Sequence, residues 1–371
     1  MLPIRGVSRV GLRKKTGEWP MDQVNAVVVG YGYAGRCFHS YLIGLEPALN
    51  LYGVVSSRPE ARRQIGRDLG VRTFETFGEA LVDDDVDLVV LATPNDLHAA
   101  QAITALEAGK HVVTDKPMCF DAKEADSMMA AASKADRLLS VFQNRRWDGD
   151  FLTVAKVVKD EGLIGDVFCI EMAWQQYGQP RSWRAQRSHG GGKLFDLGAH
   201  MIDQALQLVP ADVRRVYARY FSDGWQTDVE DHAHCILTFA NGVDVHVATS
   251  SLARIAKPRW RVLGTKGTLV KEGLDPQESA MVAGQIDAAR EEPANYARVL
   301  TEIAGQPAET TIQTISGRWR GYYENVAAAV QGRDELAVTA RSVRRVMAVL
   351  DAVRLSAESG EAIEVESGNS R

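Results

Sequence analysis

The chain has 371 residues, 45% of them apolar and 25% charged, with a formal net charge of −5. That length suggests about two domains with ample cores, and the acidic balance gives no reason to expect nucleic acid or an anionic membrane as a partner. No apolar run reaches the roughly 18 residues of a membrane span, and the scattered Cys37, Cys119, Cys169 and Cys235 suit small buried hydrophobes in a reducing cytoplasm.

Residues 1–20 hold five basic side chains and one acid, with no apolar segment of the secretory kind. They read as a disordered extension, or as a start placed too early with Met21 the working start. Residues 25–29 are a short apolar run, the pattern of a strand buried on both faces. Gly30-Tyr31-Gly32-Tyr33-Ala34-Gly35 follows, then a helical pattern through Leu42. This is G-x-G-x-x-G between strand and helix. The first glycine permits the turn, the second lets backbone approach a pyrophosphate, and the third lets helix and strand pack closely. Helix N-terminal amides then face the phosphate charge.

Strand and helix patterns keep alternating. Strands are predicted at 51–55, 87–92, 111–114 and 138–142, and helices at 59–69, 96–108 and 121–135. Such alternation implies a doubly wound parallel sheet with ligands at the carboxyl ends of its strands. The second strand ends in Ser56-Ser57-Arg58 rather than in the carboxylate that usually binds an adenosine ribose diol. Two hydroxyls and a guanidinium suit a 2′-phosphate, so NADP is expected over NAD. Thr93-Pro94-Asn95 ends a central strand where a nicotinamide ribose would lie, and His98 just beyond joins the cofactor-binding candidates.

From Asp166 the texture changes. Runs at 167–174, 214–221, 232–240, 243–252 and 260–270 read as strands. Asn241-Gly242 is a hairpin turn, and Gly264-Thr265-Lys266-Gly267 looks like a second tip. Alternation of Ala233, Cys235, Leu237 and Phe239 gives that sheet one packed face. Its other face needs cover, for which a partner subunit is a candidate. His232 and His234 share a strand face near His246, but no third ligand is apparent and no metal is assigned. Residues 275–315 show no usable period. Residues 322–330 and 338–356 read as helices.

The most informative segment lies between these strands. Gly190-Gly191-Gly192-Lys193 leads into Leu194-Phe195-Asp196-Leu197-Gly198-Ala199-His200. On an α-helix, Asp196 and His200 would share one face among apolar neighbours. A carboxylate beside an imidazole is a common way to orient a general base.

The fingerprint, Asp115-Lys116-Pro117 after a later strand, and D-x-G-x-H in a glycine-led helix together resemble the Gfo/Idh/MocA family of sugar and polyol dehydrogenases. The resemblance runs from about Asn25 almost to the C-terminus. Asp115 stands where the family motif has glutamate. That variant, Val54-Val55-Ser56-Ser57-Arg58 and Phe142-Gln143-Asn144-Arg145-Arg146-Trp147-Asp148 are similar to the branch holding scyllo-inositol-type dehydrogenases, whose members often prefer NADP. The resemblance implies an N-terminal Rossmann domain (residues 21–143), a doubly wound parallel sheet. It also implies a C-terminal α+β domain (residues 144–371), a mostly antiparallel open sheet flanked by helices. The last helix is expected to pack back on the first domain.

By the same resemblance Lys116, Asp196 and His200 are the catalytic set. The cofactor cradle comprises Gly30, Gly32, Tyr33, Ala34, Gly35, Ser56, Ser57, Arg58, Thr93, Pro94, Asn95, His98, Asp115, Lys116 and Pro117, with Pro117 expected to be cis. Asn144, Arg145, Trp147, Asp150, Trp174, Trp183 and Arg184 are sugar-pocket candidates, the rings and hydrogen-bonding groups suiting a polyhydroxylated substrate, with domain-interface packing as the alternative for each. The implied activity is NADP-dependent oxidation of a ring hydroxyl on a cyclic polyol or sugar, in a cytoplasmic homodimer or homotetramer. A cofactor-retaining sugar oxidoreductase or glycosidase, and a non-catalytic dinucleotide sensor, stand as alternatives.

Overall fold

The structure, a computed structural model, describes residues 23–159 and 162–365. The expectation for residues 1–20 lies outside them. Six parallel strands form the first sheet: β1 (Val24–Val29), β2 (Leu49–Val55), β3 (Arg72–Phe74), β4 (Leu88–Leu91), β5 (His111–Thr114) and β6 (Leu139–Val141). Their order is β3-β2-β1-β4-β5-β6, so the winding reverses between β1 and β4. In such sheets the crevice at the reversal is where ligands bind. The intervening helices are α1 (Ser40–Leu45), α2 (Pro59–Asp68), α3 (Phe77–Leu81), α4 (His98–Glu107) and α5 (Ala122–Ala135). β4 is buried along its whole length, as a strand covered by helices on both faces must be.

The second half begins with α6 (Gly149–Lys159), β7 (Val167–Gln175), α7 (Ala199–Leu208), β8 (Val213–Phe221), β9 (His232–Phe239) and β10 (Asp244–Ser250). It continues through β11 (Trp260–Gly264), β12 (Gly267–Lys271), α8 (Gln277–Val282), β13 (Ala297–Ile303) and β14 (Gln306–Ile312). It closes with α9 (Arg320–Val330), α10 (Ala340–Ser359) and β15 (Ile363–Glu364). The nine-stranded sheet runs β14-β13-β12-β11-β7-β10-β9-β8-β15. Its pairings are antiparallel except β7 with β10. β9 alternates strictly, with Ala233, Cys235, Leu237 and Phe239 buried against the helices. On the opposite face Tyr217, Ile236, His246, Glu171 and Arg261 form one cross-strand row with no covering layer among the described residues.

An aromatic cluster joins the halves. Phe142 after β6 meets Tyr322 of α9 edge-on at 4.9 Å, and Phe38 meets Trp319 at 6.0 Å. Trp319 and Tyr323 are fully buried. The last helix does pack back on the first sheet's layer. The α10 residues Arg344 and Asp351 bond Asp126 of α5 and the backbone N–H of Ala122.

Two segments differ from the sequence expectation. β3 and α3 carry too few residues for a periodic signal, and β3 exists because β2 offers it a parallel edge. Residues 275–315 contain α8 and the β13–β14 hairpin. That hairpin lies at the sheet's edge and is largely exposed, so it needs no regular apolar alternation.

The fingerprint glycines have separable duties. A Cβ at Gly35 would run into the Gly30 carbonyl, whereas one at Gly32 would meet nothing within 4 Å. Gly35→Ala is therefore expected to cost about 1–3 kcal/mol by urea denaturation, as overpacking does. Gly32→Ala should stay within about 1 kcal/mol of wild type.

Candidate active site

The loop after β1 has the shape a dinucleotide requires. Gly30 holds φ at +99°, and a side chain there would strike the Ala92 carbonyl at the end of β4. The chain from Ala34 to His39 then winds as a π turn before α1, a form common at functional sites. With open space over Gly32 and Tyr33 nearly half exposed, backbone amides are accessible to a pyrophosphate. At the end of β2, Ser56 is buried while Ser57 and Arg58 are exposed. Arg62, which the sequence reading passed over, joins this corner. It donates to the Ser56 carbonyl at 2.7 Å and to Glu75 at 3.1 Å. The residues present thus fit a dinucleotide.

Thr93, Pro94 and Asn95 follow β4. Asn95 is buried and its amide donates to the carbonyl of His189, at 3.2 Å, on the glycine loop of the second half. His98 corrects the expectation placed on it. Its ring is fully buried, and its nitrogens face the Pro117 and Thr93 carbonyls at 2.9 and 3.0 Å. It ties the two loops together and has no polar atom left for a ligand.

Lys116 stands two residues beyond β5, before a cis Lys116–Pro117 bond. Its ammonium donates to Asp196 Oδ1 at 2.9 Å and to the Asp196 carbonyl. Arg184 Nε donates to Asp196 Oδ2 at 2.8 Å. Burial alone would raise the Asp196 carboxyl, but these two cations outweigh it and hold it far below the usual carboxylate range. Behind Lys116, Asp115 lies 3.5 Å from Nε2 of the buried His39, whose Nδ1 shares a 2.7 Å hydrogen bond with the Tyr323 hydroxyl. Asp115 Oδ1 also accepts from the Lys116 backbone N–H.

Asp196 and His200 do not pair as the α-helical spacing predicts. Residues Leu194–Gly198 form a π turn, and α7 starts only at Ala199. The wider turn breaks the i, i+4 alignment. Asp196 turns to the cations, and His200 Nδ1 instead lies 3.0 Å from Gln143 Oε1. With the amide so oriented, Nδ1–H donates and Nε2 keeps a free lone pair. Burial, then the charges of Lys116, Arg145 and Arg259, hold the ring well below its ordinary pKa, hence neutral.

The expected pocket residues divide. Trp174 stacks beside His200 at 6.4 Å between ring centroids, and Arg145 lies over the same indole at 4.4 Å. Arg145 is in turn bound by Asp148 at 3.1 Å and Glu278 at 2.9 Å. Asn144 is buried beside them, its amide without a hydrogen-bond partner among the described residues. Trp183 carries the Arg184 guanidinium at 4.5 Å. Trp147 and Asp150 take structural partners, Asp150 through the buried Arg259 of the same cluster at 3.3 Å. Trp147 packs on Tyr322 of α9, and Asp150 accepts from Trp260 Nε1 at 2.8 Å, deep in the second half. His234 and His246 rings stand 5.6 Å apart, and no group of three metal-ligating side chains gathers among the described residues.

Residues 24–143 match the model of an oxidoreductase family with an NAD-binding Rossmann fold, and residues 151–270 match the GFO/IDH/MocA C-terminal domain. The chain belongs to the Gfo/Idh/MocA oxidoreductase family. It is 35% identical to the uncharacterized oxidoreductase YdgJ of Escherichia coli, across 89% of this chain and 95% of that one. It is 30% identical to the scyllo-inositol 2-dehydrogenase (NADP(+)) IolW of Bacillus subtilis, across 94% and 98%. The solved structure of the Bacillus subtilis protein yvaA superposes with a TM-score of 0.88 at 28% identity, covering 94% of this chain and all of that one.

Within this Gfo/Idh/MocA fold, sequence reasoning left four neighbours of the site without a role: Gln143, His39, Glu278 and Lys193. Gln143 lies in a segment already singled out, but only its position shows that it holds the imidazole. Glu278 accepts from Tyr33 of the glycine loop at 3.2 Å as well as from Arg145, and it sits in the stretch with no readable period.

His200 is expected to titrate below the ordinary histidine value of about 6.5, as read by imidazole NMR, with the neutral ring protonated at Nδ1. Lys116→Met removes a neighbouring cation and should raise that midpoint. The folded ring stays neutral where the unfolded one gains a proton. His200 therefore makes stability fall as the pH drops below about 6.5.

Proposed function

We propose that the chain is an NADP-dependent dehydrogenase that oxidises a ring hydroxyl of a cyclic polyol or sugar. One observation carries the reading: a neutral, buried imidazole lies within the electrostatic influence of an ammonium that is itself held by a carboxylate. Oxidation requires a proton to leave the hydroxyl oxygen as hydride leaves the same carbon. His200 accepts that proton at Nε2, the nitrogen that Gln143 leaves free. Lys116 donates a hydrogen bond to the reacting oxygen and stabilises its developing negative charge. Asp196 keeps the ammonium aimed, and Trp174 offers an apolar wall to a ring carbon face. Bound nicotinamide supplies the hydride acceptor.

The preference for NADP rests on Ser57 and Arg58, exposed beside Arg62 at the end of β2, where a 2′-phosphate would need donors. The relative IolW carries NADP(+) in its name, and cyclic polyol chemistry with it. The uncovered row of Tyr217, Ile236, His246, Glu171 and Arg261 mixes aromatic, aliphatic and opposite charges. It supports pairing with a second copy of the chain.

Lys116→Ala and His200→Ala are each expected to lower kcat about a thousand-fold on an inositol or pyranose that turns over, followed at 340 nm. Turnover close to wild type in both variants would refute the mechanism. Arg58→Ala should reduce the ratio of kcat/KM with NADP to that with NAD by about ten-fold or more. An unchanged ratio would assign the cofactor preference elsewhere.

A further inference from the structure

Lys193 is a buried cation that the mechanism leaves unused. It is 7% exposed, yet its ammonium makes no hydrogen bond or ion pair among the described residues. The other cations of the cluster are committed. Lys116 and the Nε of Arg184 occupy Asp196, Arg145 is bound by Asp148 and Glu278, and Arg259 by Asp150 and Gln204. Lys193 lies within electrostatic reach of Asp196, Arg184, Lys116 and Glu230. Both oxygens of Asp196 are already taken, and Glu230 Oε1 accepts from the backbone N–H of Leu194 at 2.7 Å. Burying an ammonium without a partner is costly, and here burial pushes the amine below its ordinary pKa.

The backbone that carries Lys193 is fixed. A Cβ on Gly191 would collide with the carbonyls of Gln186, Trp183 and Arg184, and one on Gly192 with the Glu230 carboxylate. Asn95 clamps the same loop from the other half by donating to the His189 and Gly190 carbonyls. The position of Lys193 on this loop is thus fixed by packing. Beside it, the two terminal nitrogens of Arg184 make no protein hydrogen bond among the described residues.

We propose that Lys193 and the terminal nitrogens of Arg184 form a subsite for a carboxylate carried by the substrate, so that the ring oxidised next to His200 belongs to an acidic sugar. This rests on the dehydrogenase reading above. One ammonium and one guanidinium edge offer two donor groups, which match the two oxygens of a carboxylate better than the three terminal oxygens of a phosphate ester. The ligand completes the pairing that the protein leaves open. The step itself is unchanged: the hydroxyl proton goes to His200 and the hydride to nicotinamide, while the carboxylate stays intact.

The test compares glucuronate and galacturonate with glucose, galactose and glucose 6-phosphate, using NADP+ and the wild-type and Lys193→Met proteins. Wild type is expected to favour the uronates at least ten-fold in kcat/KM. Lys193→Met should lose 10- to 100-fold on the uronates, mainly through KM, and at least ten-fold less on the neutral sugars. Equal losses on both classes, or a wild type that prefers neutral rings, would overturn the proposal. A loss confined to glucose 6-phosphate would replace the carboxylate by a phosphate and overturn it as stated. A binding measurement separates this from the failure of the dehydrogenase reading. Glucuronate should raise the melting temperature of the NADP+-loaded wild type, and Lys193→Met should abolish that shift. If the shift is present while no sugar is oxidised, the subsite stands and the reaction assignment falls. If glucuronate neither shifts the wild type nor turns over, the subsite falls. Without ligand, Lys193→Met should melt no lower than wild type. A drop of several degrees would mean that the amine is structurally paired and would overturn the proposal.

Discussion

The 2.9 Å ion pair between Lys116 and Asp196 joins the end of a strand in one sheet to a turn that feeds the other. Each partner alone would be a poorly solvated charge, because both side chains are largely buried. Together with Arg184 they form a triad in which both carboxylate oxygens are satisfied. That arrangement fixes where the ammonium points. It also requires the two halves to keep one relative position, since the pair spans them. The aromatic cluster of Phe38, Phe142, Trp319, Tyr322 and Tyr323 and the return of α10 onto α5 supply that rigidity away from the chemistry.

Around this pair the charges have distinct tasks. His200 is neutral because it is buried among cations, and a neutral imidazole is the form that takes a proton. Gln143 sets which of its ring nitrogens carries the hydrogen. Asp115 is partly buried, which would raise its carboxyl, but His39 and Lys116 outweigh burial and keep it ionised beneath the ammonium. Tyr323 then anchors His39, so a chain of polar contacts runs from α9 to Lys116. Arg145 is held by two acids and lies over Trp174, which stiffens the wall beside His200. Lys193 alone in this group lacks a protein partner among the described residues, which is the ground for proposing that it serves the substrate.

Much of this was legible from local patterns. Buried parallel strands announce themselves as short apolar runs, so β1, β2, β4, β5 and β6 fell within a few residues of expectation. The alternation in β9 and the Asn241-Gly242 turn exposed the antiparallel sheet. Lys116, Asp196 and His200 were recognisable through motifs that combine glycine freedom with polar residues in apolar surroundings. Less legible were the short β3 and the exposed β13–β14 hairpin, whose existence depends on a neighbouring strand edge. Trp147 was left between pocket and domain interface for a related reason. An aromatic ring in a loop gives no local sign of which surface it will meet, and here it met α9.

The sequence by itself determined the two-part architecture, the dinucleotide loop and the chemical types available at the site. These depend on periodicity, glycine spacing and strand ends, which act over a few residues. The tertiary structure alone decided who partners whom. The π turn at Leu194–Gly198 replaced the expected Asp196–His200 contact by one carboxylate shared between Lys116 and Arg184. It left His200 to Gln143, 57 positions away in the chain. Electrostatic pairing is set by distance and burial in three dimensions, and neither is encoded in the spacing of residues along one helix.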